Sequence, residues 1–276
     1  MTYSTLMVHL DVGSSNAGRL QVAGDLADRF GASVVGIAAA QPMQVVYADG
    51  YVSGEMIEDD VNAKEKEIAA AEAEFRGAFQ KRTNALEWRS AITLDPLSDF
   101  IACESRSADC VVTGVDHNRS VFDSSRHVEL GDLVMRIGRP VLVVPESATK
   151  IGFDRILVGW KDTRETRRAV ADALPLLKKA TFVTVAEIAL ESDMVEARRH
   201  LDQVVEWLKR HGVTAESIAA PSAGNDSKHL AEIGREQKAD LMVAGAYGHN
   251  RLREWMLGGV TRDLLLRPEA CAFVSH

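Results

Sequence analysis

The strongest constraint on the fold is that the chain repeats itself. Ala108-Asp109-Cys110-Val111-Val112-Thr113-Gly114 is echoed 131 residues later by Ala239-Asp240-Leu241-Met242-Val243-Ala244-Gly245. Leu6-Met7-Val8-His9-Leu10-Asp11 is echoed 150 residues later by Ile156-Leu157-Val158-Gly159-Trp160-Lys161. Two copies of one plan, in a chain of 276 residues, make two domains of ordinary size. The polar segment Glu146–Asp154 after Pro145 places the boundary, giving 1–147 and 148–276. The offsets differ by 19 residues, which the polar, glycine-containing stretch Gln41–Asn62 of the first half accounts for.

Each copy alternates short β-rich runs with helical periodicity. In the second, Arg155–Trp160 reads as a strand. A helix capped by Asp162 or Thr163 follows to about Lys179, with Val170, Ala173, Leu174 and Leu177 on one face. Then come strand Thr181–Ala186, a helix over Asp193–His211 closed by Gly212, strand Thr214–Ile218, a helix over Lys228–Gln237 and strand Asp240–Gly245. A helix over Gly259–Leu266 and a strand over Ala270–Ser275 complete the copy. Such alternation predicts right-handed crossovers and, in each domain, a five-stranded parallel doubly wound sheet with helices on both faces. Ligands on such sheets sit beyond the carboxyl ends of the strands, where the strand order reverses. The acidic, alanine-rich stretch Asp59–Ala73 reads as a solvated helix.

Composition excludes several classes of function. With 46% hydrophobic and 26% charged residues the chain is not disordered. A net charge of −8 argues against a nucleic-acid binder. No run of about 18 apolar residues spans a membrane, and no secretory signal precedes Leu6–Leu10. Cys103, Cys110 and Cys271 form neither a disulfide framework nor a zinc knuckle. These features predict a cytoplasmic protein.

The chemistry concentrates in one loop. After strand Leu241–Ala244 come Gly245-Ala-Tyr-Gly248, nine further residues, and then Gly258-Gly259-Val260-Thr261. Glycines admit an anion close to the backbone, and a following helix offers free N–H groups and its positive end.

Here the chain resembles the universal stress proteins, in their tandem two-domain form, over essentially its whole length. The family's mark is glycine, two residues, glycine, nine residues, glycine and then a hydroxyl residue, a pattern associated with ATP binding. Gly245, Gly248 and Gly258 match that spacing, Gly259 replaces the expected hydroxyl, and Thr261 matches a further one. The loss of one hydrogen bond to a charged group lowers affinity roughly 10–150-fold. The resemblance implies a Rossmann-like fold of the adenine nucleotide alpha hydrolase type. It also implies an ATP, ADP or AMP site in the second domain, with or without Mg2+. The site residues would be Gly245, Gly248, His249, Gly258, Gly259, Val260 and Thr261, with Trp160, Lys161 and Asp162 at the end of the domain's first strand. The family's acidic residue there survives as Asp11 in the first half and becomes Lys161 in the second. Lys161 could reach a phosphate or stay in solvent, and Asp162 could be only a helix cap. Val185 lies where relatives meet the adenine, and could equally be core.

In the same register the first half has Gly114, His117, His127 and Val128, with Pro140 holding the alignment. Two glycines have become histidine, so this domain is expected not to bind ATP in the family manner. His9, His117 and His127 near Asp11 are donor types suited to zinc. Without short ligand spacing, solvated histidines are the preferred reading. No catalytic constellation is visible. A regulatory binding protein is therefore expected, with a chaperone-like scaffold or a slow ATPase as the alternatives. The apolar strands Val141–Val144 and Ala272–Val274 occupy matching places and invite pairing. The resemblance implies that they join the halves internally, and a homodimer of such chains is a further option.

Overall fold

The computed structural model describes residues 2–43, 54–82, 84–115, 126–148, 151–246 and 270–276. The first half contributes β1 (Thr5–His9), α1 (Ala17–Phe30), β2 (Ser33–Ala40), α2 (Gly54–Phe79), β3 (Leu86–Ile92), α3 (Leu97–Glu104), β4 (Cys110–Gly114), α4 (Leu130–Arg136) and β5 (Val141–Val144). The second contributes β6 (Arg155–Gly159), α5 (Arg164–Leu177), β7 (Phe182–Ala189), α6 (Met194–Arg210), β8 (Ala215–Pro221), α7 (Asp226–Glu236), β9 (Leu241–Gly245) and β10 (Cys271–Ser275). Most boundaries agree with the sequence reading within a few residues. β7 and β8 each run three residues longer at their carboxyl ends, because the β7–β8 ladder continues through Ala189 and Pro221. The helix expected over Gly259–Leu266 lies outside the described residues.

The strands form one ten-stranded sheet in the order β3-β2-β1-β4-β5-β10-β9-β6-β7-β8. Within each half every neighbour is parallel. β5 and β10 meet antiparallel, with Leu142 opposite Phe273 and Val143 opposite Ala272. These residues are fully buried. Strands covered on both faces must be apolar throughout, which explains the unbroken runs. One core cluster joins α1, α2, α5 and α6 to one face through Leu26, Phe75, Val170 and Leu201. The other joins α3, α4 and α7 to the opposite face through Ile101, Leu133 and Ile233.

The halves are tied beyond the sheet. Tyr3 donates its hydroxyl to the Asp172 carbonyl at 2.7 Å, and the Arg29 guanidinium donates to the Lys179 carbonyl at 2.5 Å. The Lys179 ammonium lies 4.7 Å from the centre of the Phe30 ring.

One local expectation needs correction, and one open choice is resolved. α2 is not simply solvated. Ile68, Ala71, Phe75 and Phe79 are buried along one face, and buried Lys64 is neutralised by Asp60 at 2.5 Å. At 26 residues it also outruns α6, which has 17, so part of the extra length of the first half is helix. The cap of α5 is Thr163, whose hydroxyl accepts from the Thr166 amide. Asp162 instead pairs with Arg167 at 2.6 Å.

Candidate functional site

The strand order reverses between β1 and β4 in the first half and between β6 and β9 in the second. Their carboxyl ends are therefore the two candidate crevices.

In the second half, β6 hands over to a tight turn. The Trp160 amide donates to the Ala186 carbonyl at 2.7 Å, and the Thr163 amide to the Lys161 carbonyl at 2.6 Å. α5 therefore starts close to the end of β9. A Cβ on Gly245 would lie 2.6 Å from the Glu165 carbonyl carbon and against the Thr166 amide. This is backbone on backbone, so only glycine fits. Gly245 thus seats the first turn of α5 as well as opening the loop.

Of the residues expected at the site, the structure brings Trp160, Lys161, Asp162, Val185 and Gly245 to this end of the sheet. Lys161 is exposed. Val185 has a fully buried side chain packed in the core, so its contribution is packing. Gly248, His249, Gly258, Gly259, Val260 and Thr261 lie outside the described residues.

Sequence reasoning missed Glu165 and Glu187. Glu165 is 5% exposed, beside Gly245, and its Oε2 has no hydrogen-bond partner. Burial works against its charge, but the start of α5, Arg164 and the Thr163 hydroxyl outweigh burial and hold the carboxyl below its ordinary range. Glu187 is pushed the other way, upward, chiefly by burial. The signal for Glu187 was strand alternation: Val183, Val185 and Glu187 share one face.

The first crevice is filled by its own chain. The Arg19 guanidinium, 8% exposed, donates to the His9 carbonyl at 2.5 Å and to the Asp11 carboxylate at 2.5 Å. It packs directly over Gly114, where no Cβ could be added without displacing it. Asp11 is further fixed at its amide, which donates to Asn16 Oδ1 at 2.9 Å. Burial alone would raise the Asp11 carboxyl, but the charges of Arg19 and His9 leave it lowered. Arg19 was legible in principle. Arg19, Ala23 and Leu26 recur at helical spacing on the buried face of α1.

His9 is not the solvated histidine the sequence suggested. It is 2% exposed, with Nδ1 3.0 Å from the Thr113 hydroxyl and 3.8 Å from Asp11. Burial lowers its pKa to about 4, so it is neutral at physiological pH. Among the described residues no three His, Cys, Asp or Glu side chains are grouped to hold a metal. His117 lies outside them. No described helix is long and apolar enough to cross a membrane.

No family model and no curated relative matches the chain. Solved structures do. A universal stress protein from Archaeoglobus fulgidus superposes with a TM-score of 0.75 at 14% identity, covering 98% of this chain and 95% of that one. A functionally unknown protein from Pseudomonas aeruginosa gives 0.65 at 12% identity, covering 99% and 92%. A proposed universal stress protein from the same species gives 0.62 at 14%, again covering 99% and 92%. At these identities the likeness is one of fold.

Proposed function

We propose that this chain, which carries the tandem universal-stress-protein fold over its full length, is a stress-response binding protein with one adenine-nucleotide site, in its second domain. Residues 1–147 form the degenerate domain and 148–276 the binding one. The observation that carries the reading is the asymmetry of the two crevices. At the first, Arg19 occupies the space over Gly114 and satisfies Asp11. At the second, the nearest neighbours of the equivalent glycine, Gly245, are backbone atoms of α5, and it precedes a loop with glycine spacing suited to phosphates.

In this reading Gly245, Gly248, Gly258, Gly259, Val260 and Thr261 cradle the phosphates. Trp160, Lys161, Asp162 and His249 lie toward the nucleoside. Glu165 bears on the ion requirement. A buried carboxylate beside Gly245 opposes bare phosphates, and a bound Mg2+ would offset that repulsion. The ligand then favours an ordered loop over 245–258 and reports nucleotide state to a partner through that population shift.

Calorimetric titration of ATP, ADP and AMP, with and without Mg2+, tests the proposal on wild type and Gly248→Val. Binding is expected in wild type, tighter with Mg2+. It should be weakened at least 100-fold by the valine, whose side chain bars close backbone approach. Absence of binding at millimolar nucleotide would leave the scaffold reading, which the continuous sheet favours.

A further inference from the structure

Val183 and Val185 are fully buried on one face of β7, and alternation puts Glu187 next on that face. Across the ladder Val158 pairs with Val185, and the Trp160 amide continues the pairing to the Ala186 carbonyl. Trp160 and Glu187 therefore stand side by side one step beyond the valines, on strands about 4.8 Å apart. Trp160 is 8% exposed, and its indole Nε1 has no hydrogen-bond partner. Glu187 Oε2 is buried and has none either. Lys161, Asp162, His200 and Glu196 surround the carboxylate electrostatically, and His200 is engaged with Glu196 at 3.5 Å. One orphaned donor beside one orphaned acceptor, next to the reversal of strand order, is a pair that native chains rarely leave without a partner, be it water, an ion or a ligand.

We propose that Trp160 and Glu187 are a base-reading pair. The indole N–H donates to a ring nitrogen, and Glu187 Oε2 accepts from the adjoining exocyclic amino group, an edge that adenine presents. The assignment rests on the nucleotide reading above and supplies its specificity. Inosine places a carbonyl oxygen where the amino group would be and meets the carboxylate with repulsion. N6,N6-dimethyladenosine keeps the ring nitrogens and loses the donor.

The test follows the indole N–H resonance of Trp160, assigned by its disappearance in Trp160→Phe, in the 15N-labelled full chain. Adenosine should shift that resonance and bind about tenfold or more tighter than inosine or the dimethyl analogue. Glu187→Gln, which can also donate to a carbonyl, should bring adenosine and inosine within about threefold of each other. The glutamine removes a buried charge, so the variant is expected to fold, which a thermal melt checks. The proposal is overturned if adenosine binds without moving the Trp160 resonance, or with unchanged selectivity in Glu187→Gln. A water bridging the pair would give that result, and the nucleotide reading would survive it. If wild type binds neither adenosine nor any adenine nucleotide at millimolar concentration, both readings fall together.

Discussion

Replacing Arg19 by methionine is expected to cost about 3–5 kcal/mol of folding free energy, the usual penalty for removing one partner of a buried ion pair. Methionine keeps the apolar length of the side chain. What it removes is the guanidinium that satisfies the Asp11 carboxylate and the His9 carbonyl. Asp11, 18% exposed at its side chain, would be left without its cation. Adding Asp11→Asn should recover most of the loss, because the uncompensated charge disappears. Urea unfolding at neutral pH measures both variants. A loss under about 1 kcal/mol in Arg19→Met would mean that the ion pair does not organise the first crevice. The acid limb supplies a second check. The folded Asp11 carboxyl is lowered, so its contribution is present above about pH 4 and lost as pH falls through the depressed folded value. Arg19→Met should abolish that limb.

The second large effect concerns His9. Burial sets its pKa near 4, Asp11 partly opposes that and Arg19 reinforces it. His127 also lies within electrostatic reach of Asp11. An unfolded histidine titrates near 6.5. Between about 6.5 and 4 the unfolded chain thus takes up a proton that folded His9 refuses. Stability from this residue is full above about pH 6.5 and declines as the solution is acidified through that window, by roughly 3 kcal/mol in all. His9→Asn, which does not titrate and can still reach Thr113, should flatten the difference. The measurement is unfolding free energy at several pH values from 7 to 4, compared between the two chains. Parallel profiles would refute the assignment.

The architecture was legible because it rests on patterns that survive without coordinates. The 131-residue echo, the glycine at the end of β4 and of β9, and the unbroken valine runs of β5 all report a parallel sheet built twice. Within the described part of the candidate site, Gly245 was legible because the backbone of α5 there leaves no room for a Cβ. Charged side chains were the less legible part: Lys64 was read within a solvated helix, and Arg19, Glu165 and Glu187 carried no expectation. Lys64, Arg19, Glu165 and Glu187 each sit on an inward position of an otherwise apolar period, and the compensation differs between the cations and the carboxylates. Asp60 neutralises Lys64, and Asp11 neutralises Arg19. Glu165 stands at a helix start, which favours a negative charge. At Glu187 burial outweighs the surrounding charges and pushes the carboxyl upward. Counting the period through the charged residues, rather than stopping at them, would have placed all four. The choice between Asp162 and Thr163 as cap depended on the tightness of one turn, which residue types alone do not fix.

The antiparallel seam between β5 and β10 sets what each half is free to lose. Because the two strands run in opposite directions, the carboxyl ends of the halves point away from each other, and a molecule held at one end cannot touch the other. The first half can therefore abandon ligand chemistry without altering the second crevice directly. It cannot be discarded, since Val141–Val143 covers the backbone edge that β10 would otherwise expose to any other extended chain. Mutational tolerance should accordingly be low along β5. The first half serves as the permanent escort of its neighbour's edge.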